Sequence, residues 1–203
     1  MEKLCIGKGC IEKVCGESTC EKEVSLMEML DAREKRCMLQ QHLLNTCQTP
    51  LICLTLNIPG PVKVLPGVPK TFDTACSRIR AALKASAVRI LHTEIIKEKT
   101  GYEAFFSADA SPELLKELMI PLEDQDRLGR LFDIDVLRLD GQKVSREELS
   151  HAPRRCLLCS EPAHVCSRSR RHSVPELTAE INRILADTAG STASDCNTDE
   201  ERI

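Results

Sequence analysis

The order of its predicted elements places this chain of 203 residues in the α+β class, as a ferredoxin-like split βαβ sheet with a leading helix and a C-terminal helical appendage containing Cys and His. Three observations predict it. From Leu51 onward the pattern reads strand, helix, strand, strand, helix, strand. A stretch with apolar residues at helical spacing precedes that series. After it come Cys156-x-x-Cys159, Cys166 and His172, ligand types gathered within one short segment.

The elements follow in chain order. Over 24–45, Leu26, Met29, Leu30, Met38, Leu39 and Leu43 recur at roughly helical spacing among good helix formers, which predicts the leading helix. Residues 51–58 form a short apolar run ended by Pro59-Gly60-Pro61, the mark of a buried strand followed by a breaker. Over 71–87, Phe72, Cys76, Ile79 and Leu83 share one helical stripe. Strands are expected over 87–97 and 102–108, with Thr100-Gly101 as the turn between them. Ser111 followed by Pro112 is a helix start, and that helix is expected to run to about Met119. A strand over 130–136 comes next, and Asp140-Gly141 predicts a hairpin turn into a partner at 142–145.

Composition limits what such a domain does. With 42% apolar residues, one globular domain is expected over 23–186, with the Cys/His segment at 153–173 inside it. Four Phe, one Tyr and no Trp leave almost no stacking platforms, and a net charge of −3 argues against a large basic surface, so no nucleic-acid partner is expected. No stretch reaches the length of a membrane span and the first residues lack the apolar core of a signal peptide, so no membrane partner is expected and a cytoplasmic location is. Twelve cysteines in a reducing compartment then read as free thiols, and Cys53 and Cys76, set in apolar runs, as small buried hydrophobes. Cys5, Cys10, Cys15 and Cys20 turn about 140° apart on an ideal helix, so no face collects them, and residues 1–22 read as a poorly ordered leader or an extra helix. Residues 187–203 are small, polar and aperiodic and read as a disordered tail.

The most informative segment is Arg130-Leu131-Phe132-Asp133-Ile134-Asp135-Val136. Residues two apart on a strand share a face, so Asp133 and Asp135 stand side by side with Leu131 flanking them, while Phe132, Ile134 and Val136 face the other way. Adjacent carboxylates repel, and each carries a raised pKa unless a cation sits between them. A divalent ion held by paired aspartates grips a phosphate chain in phosphoryl transfer. The bland alternative is an edge strand with a solvated polar face. Arg130 beside the pair either clamps a phosphate or balances the two carboxylates.

Further candidates each have a plain alternative. Lys63, after the Pro-Gly-Pro breaker, is placed to reach a phosphate as a point charge, or is a solvated loop lysine. Arg33 and Arg36 share a helix face, for substrate or for a surface ladder with Glu28, Asp31 and Glu34. The cluster Arg168, Arg170, Arg171 and His172 meets phosphates or an acidic protein, or is a solvated face. Cys156, Cys159, Cys166 and His172 suit tetrahedral zinc, with His164 competing as fourth ligand; buried thiols and a redox pair are the alternatives.

Taken in order and spacing, Pro59-Gly60-Pro61-Val62-Lys63, the Arg130–Val136 segment, Arg154-Arg155-Cys156-Leu157-Leu158-Cys159 and the run from Cys166 to His172 resemble the citrate lyase phosphoribosyl-dephospho-CoA transferase family, also called holo-citrate lyase acyl carrier protein synthase. Leu30-x-x-Arg33-Glu34-x-Arg36 resembles that family's leading helix, and the likeness runs from near Leu26 to about Leu185. The resemblance implies transfer of a phosphoribosyl-dephospho-CoA group from triphosphoribosyl-dephospho-CoA to a serine of the citrate lyase acyl carrier protein subunit, with diphosphate released. On that reading Asp133 and Asp135 hold Mg2+ on the triphosphate, Arg130 and Lys63 stabilise phosphate charge, and Arg33, Arg36, Arg168 and Arg171 contact substrate. The split βαβ sheet is then nucleotidyltransferase-like, since many nucleotidyl-transferring enzymes set their carboxylates on such a sheet. The alternative is a non-catalytic, zinc-stabilised adaptor that binds an acyl carrier protein.

Overall fold

The computed structural model describes residues 22–190, with side chains to residue 187. The Cys5 to Cys20 repeat and the tail beyond residue 190 lie outside the described residues. Helix α1 (Leu26–Cys47) starts at Ser25, which forms a capping box with Glu28. Strand β1 (Leu51–Leu56) leads through the Pro-Gly-Pro loop to α2 (Val68–Ala85), and the β2 (Ile90–Glu98) and β3 (Gly101–Ala108) hairpin follows. Then come α3 (Pro112–Asp124), capped by the Ser111 side chain, β4 (Phe132–Leu137), a short α4 (Ala163–Ser169) and α5 (Val174–Gly190).

The fold is α+β, with a four-stranded sheet in the order β2-β3-β1-β4 and every neighbouring pair antiparallel. Strands β1 and β2, joined through α2, therefore run parallel with β3 between them, which is the split βαβ order. Alternation sorts the two faces. Ile52 and Leu54 of β1, Phe106 of β3 and Phe132, Ile134 and Val136 of β4 face the main core with Phe72 and Ile79 of α2 and Leu115 and Met119 of α3. On the other face Leu51, Cys53, Phe105 and Leu137 pack under Leu43 and Leu44 of α1. Burial pushes the thiols of Cys53 and Cys76 up to about 12 and about 11, as befits inert core residues.

Three expectations need correction. The hairpin partner at 142–145 does not become a sheet strand. Gly141 closes the turn at φ 80°, but pairing is confined to a bridge between Leu137 and Lys143, made by the Arg138 N–H on Gln142 O at 2.8 Å and the Val144 N–H on Val136 O at 2.9 Å. Leu131 does not flank the aspartates, because residues 129–131 form a 3₁₀ turn that drops it into the main core at 1% exposure. Helix α5 extends the expected helical appendage beyond the Cys/His segment at 153–173. It is capped at Ser173 by Glu176, buries Ile181, Ile184 and Leu185, and carries regular structure to Gly190, into the stretch read as tail.

Candidate functional site

Asp133 and Asp135 lie opposite Thr55 and Cys53 of β1, on the α1 side of the sheet. Helix α1 covers the Leu51 end of that face with its C-terminal half and leaves the Thr55–Asp133 end open. There the Thr55 hydroxyl donates to Asp133 at 3.4 Å. A cleft of about 170 Å³ opens beside it, lined by Arg33 and Arg36 of α1, Thr55, Lys63, Glu103 and Asp133. Four residues singled out in sequence as separate candidates, Arg33, Arg36, Lys63 and Asp133, thus share one cavity.

The supporting contacts explain how. The Val24 N–H donates to Pro61 O at 2.9 Å, which ties the start of α1 to the loop that carries Lys63. Gly60 in that loop has φ 80°, a left-handed conformation that glycine adopts without penalty. Lys63 Nζ donates to Ile58 O at 2.7 Å, and burial together with the nearby Arg33 pushes its pKa down. Arg33 forms no ion pair among the described residues. Arg36 is bound to Glu103 through Nε at 2.9 Å and through a second nitrogen, and that partner outweighs burial to hold its pKa up.

The aspartates continue into a second cleft of about 380 Å³, shared with Lys143, Arg146, Arg154 and His164. Lys143 pairs with Asp135, and Arg154 reaches Asp133 at 3.4 Å and Glu123 at 3.6 Å. Surrounding protein and then Asp135 push the Asp133 carboxyl above its ordinary range, although half of the side chain is exposed. Behind the strand, buried Glu123 accepts the Ile134 N–H at 2.9 Å and pairs with Arg146 at 2.6 Å, while buried Lys116 donates to Ile134 O at 2.7 Å.

Arg130 stands elsewhere. It belongs to the 3₁₀ turn, makes no ion pair with either aspartate, and donates to the carbonyls of Arg155 and of Cys156, the latter at 3.2 Å. Arg154 takes the place beside Asp133 that the sequence reading gave to Arg130, and its own guanidinium donates to Arg130 O at 2.9 Å. Arg168 and Arg171 are exposed, Arg171 facing Glu161 at 4.0 Å, and neither lines these clefts. Their neighbour Arg170 does line a cavity, described below.

Cys156, Cys159, Cys166 and His172 converge so that their ligand atoms all lie within 4.8 Å of one another. Cys159 Sγ is 3.4 Å from Cys166 Sγ and 3.3 Å from His172 Nε2. Sulfur ligands on tetrahedral zinc, at ~2.3 Å from the ion, stand roughly 3.8 Å apart, so the set is near the size of such a site. Burial opposes charge on Cys156, but the N–H groups of Leu158 and Cys159 aimed at its sulfur outweigh it and hold the thiol below its ordinary range. Burial and the neighbouring sulfurs push Cys166 the other way, up to about 12, so it is the convergence of the four ligand atoms that points to a metal. His164 lines the aspartate cleft instead, which leaves His172 as the fourth ligand type.

A family model described as apo-citrate lyase phosphoribosyl-dephospho-CoA transferase matches residues 24–188. The chain belongs to that family. Relatives from Streptococcus pyogenes serotype M5 (strain Manfredo) and Vibrio cholerae serotype O1 (strain M66-2), both named for the same transferase activity, are each 38% identical to it. The alignments cover 81% of this chain in both cases, and 86% and 93% of the two relatives. The family match spans every residue of the clefts and of the Cys/His cluster.

Several residues of the site escaped the sequence reading as site residues. Arg154 and Lys143 sit beside segments already singled out, and a basic residue next to a Cys pair or a hairpin turn is a weak signal. Glu123 and Lys116 look like solvent-facing members of a charged helix and give no signal.

Proposed function

We propose that this member of the apo-citrate lyase phosphoribosyl-dephospho-CoA transferase family attaches the phosphoribosyl-dephospho-CoA group to a serine of the citrate lyase acyl carrier protein subunit. The donor is triphosphoribosyl-dephospho-CoA, and diphosphate leaves. The observation that carries this reading is the cleft in which Arg33, Lys63 and Asp133 meet, because it sets cations around a carboxylate at the open end of a rigid sheet. A polyphosphate bound by carboxylates through a metal and by surrounding cations needs that charge pattern.

In this reaction the serine oxygen forms a bond to the phosphorus nearest the ribose as the bond from that phosphorus to the diphosphate oxygen breaks. The serine proton passes to solvent or a base. Lys63 and Arg33 face the phosphate oxygens as fixed positive charges, and Arg154 holds Asp133 in place while adding a third. Two carboxylates on one face, one of them pushed up by burial and then by its neighbour, form a donor set that fits magnesium, and Asp133 and Asp135 would hold it. Bound there, the ion would neutralise charge on the triphosphate. The sheet then works as a nucleotidyltransferase-like platform, with the Cys/His cluster as a structural zinc site beside it. No helix among the described residues is long and apolar enough to cross a membrane, in keeping with a carrier protein as substrate.

Incubating the enzyme with donor, magnesium and the apo carrier subunit and weighing the carrier by mass spectrometry tests the reading. A gain of one phosphoribosyl-dephospho-CoA group on a serine is expected. An unchanged carrier mass would overturn it.

A further inference from the structure

A cavity of about 510 Å³ lies next to the aspartate cleft, between the Cys/His segment and the first turns of α5. They share lining residues. Asn57 lines both this cavity and the Lys63 cleft, and Arg154 lines both this cavity and the aspartate cleft. Part of its lining is apolar, formed by Leu131, Leu157, Val174, Leu177 and Ile181. Part is basic, with Arg130, Arg155 and Arg170.

These arginines differ in how far their charge is already used. Arg154 is bound to Asp133 and Glu123, and Arg130 to two carbonyls, with its Nε buried and without a hydrogen-bond partner. Arg155 and Arg170 have no side-chain hydrogen bond or ion pair among the described residues. Two unpaired guanidiniums in one cavity with apolar side chains suit a ligand with one anionic group and one uncharged arm.

The Lys63 cleft, at about 170 Å³, has room for a short phosphate chain but not for the rest of a coenzyme-sized donor. Dephospho-CoA consists of an adenosine and a pantetheine arm joined by a diphosphate. We propose that the 510 Å³ cavity holds the dephospho-CoA part of the donor, with Arg155 and Arg170 on its internal diphosphate and the apolar side chains against its uncharged arm. This rests on the transferase reading given above and adds to it the site that selects the coenzyme end of the substrate. Cys156, Cys166 and His172 also line the cavity, so the cluster shapes its wall.

The test is equilibrium binding of two probes to the full-length enzyme, dephospho-CoA and inorganic tripolyphosphate, with carrier loading measured in parallel. Arg155→Ala and Arg170→Ala are each expected to weaken dephospho-CoA binding about tenfold, and the double variant about a hundredfold, since each removes one charge-assisted contact. Tripolyphosphate affinity should stay the same in these variants and fall in Lys63→Ala. Lys84→Ala, on the exposed end of α2, serves as a charge control and should alter neither probe. Equal dephospho-CoA affinity in the wild type and the double variant, or no measurable binding to the wild type, overturns the assignment. The carrier assay reports separately. If the wild type loads the carrier while dephospho-CoA binding ignores both arginines, the cavity assignment fails and the transferase reading stands. If loading fails in the wild type, the reading fails, and the same binding comparison still decides the cavity.

Discussion

Glu123 accepts the backbone N–H of Ile134 at 2.9 Å, and Ile134 is the residue between Asp133 and Asp135. Strand β4 is a sheet edge, so the outward N–H and C=O of Ile134 have no strand to pair with. Helix α3 supplies both partners, Glu123 for the N–H and Lys116 for the C=O at 2.7 Å, and Arg146 neutralises Glu123 at 2.6 Å. The backbone between the two aspartates is therefore fixed from behind by buried ions, while their side chains face the cleft.

From this contact, Glu123→Ala should be strongly destabilising. It orphans the Ile134 N–H and leaves buried Lys116 without its neighbouring carboxylate, while Arg146 keeps Asp124 at 2.7 Å, so a loss of about 3 kcal/mol is expected, at the low end for broken buried pairs. Glu123→Gln keeps an acceptor for the N–H and should cost less. Denaturant unfolding of the two variants checks the order, and an alanine variant as stable as wild type would remove the clamp.

Asp133→Asn and Asp135→Asn should each lower carrier loading by orders of magnitude with the fold retained. Stability adds a signed test for Asp133. Its folded pKa is raised, so the ionised carboxylate works against the fold above that pKa, and the cost disappears as the pH falls through the raised value. Asp133→Asn should therefore melt slightly higher than wild type at neutral pH, with the gap closing on acidification. The effect is small because the side chain is half exposed and Arg154 offsets part of it. A melting temperature lowered at neutral pH would show that the Arg154 contact outweighs the repulsion.

Protein prepared without chelator should contain close to one zinc per chain, held by Cys156, Cys159, Cys166 and His172. Stripping the metal, or Cys156→Ser, should lower the melting temperature, since a structural zinc site contributes folding energy directly. Metal analysis alongside melting decides it. Metal-free protein with unchanged stability in Cys156→Ser would return these residues to ordinary buried thiols.

Much of this was legible in sequence because it depends on local periodicity. Alternation in Phe132, Ile134 and Val136 fixed the core face of β4, and it put Asp133 and Asp135 together on the other. The same alternation misled at Arg130 and Leu131, where it read the strand as starting too early. Gly129 explains why. A Cβ there would meet Leu122 O at 2.3 Å, so the chain is pressed against α3 in a 3₁₀ turn and leaves the strand before Phe132. Pairing partners were not legible, because Arg154 reaches Asp133 across 21 residues and Glu123 reaches Ile134 across 11 from another element. Helix α5 was readable in principle: Ser173 with Glu176 is a capping box, and Leu177, Ile181, Ile184 and Leu185 keep helical spacing.

Lys63 gives the sharpest kinetic test of the phosphate cleft. Its ammonium is half-buried, beside the unpaired Arg33, and its pKa is pushed down first by burial and then by that neighbour. A polyphosphate entering the cleft would offset both penalties, since it brings negative charge to two cations that now repel. Lys63→Ala should accordingly raise the KM for the donor far more than that for the carrier protein, and Arg33→Ala should do the same. Losing one charge-assisted contact costs roughly 1.5–3 kcal/mol, about one to two decades in kcat/KM. Arg154→Lys should also lose activity, because an ammonium cannot reproduce the several directed contacts its guanidinium makes to Asp133, Glu123 and Arg130 O. Steady-state rates with each substrate varied in turn measure all three. Should Lys63→Ala weaken only carrier binding, the Pro-Gly-Pro-Val-Lys loop would be a docking surface for the protein substrate, and the triphosphate would have to lie against Lys143 and Arg154 on the other side of Asp133.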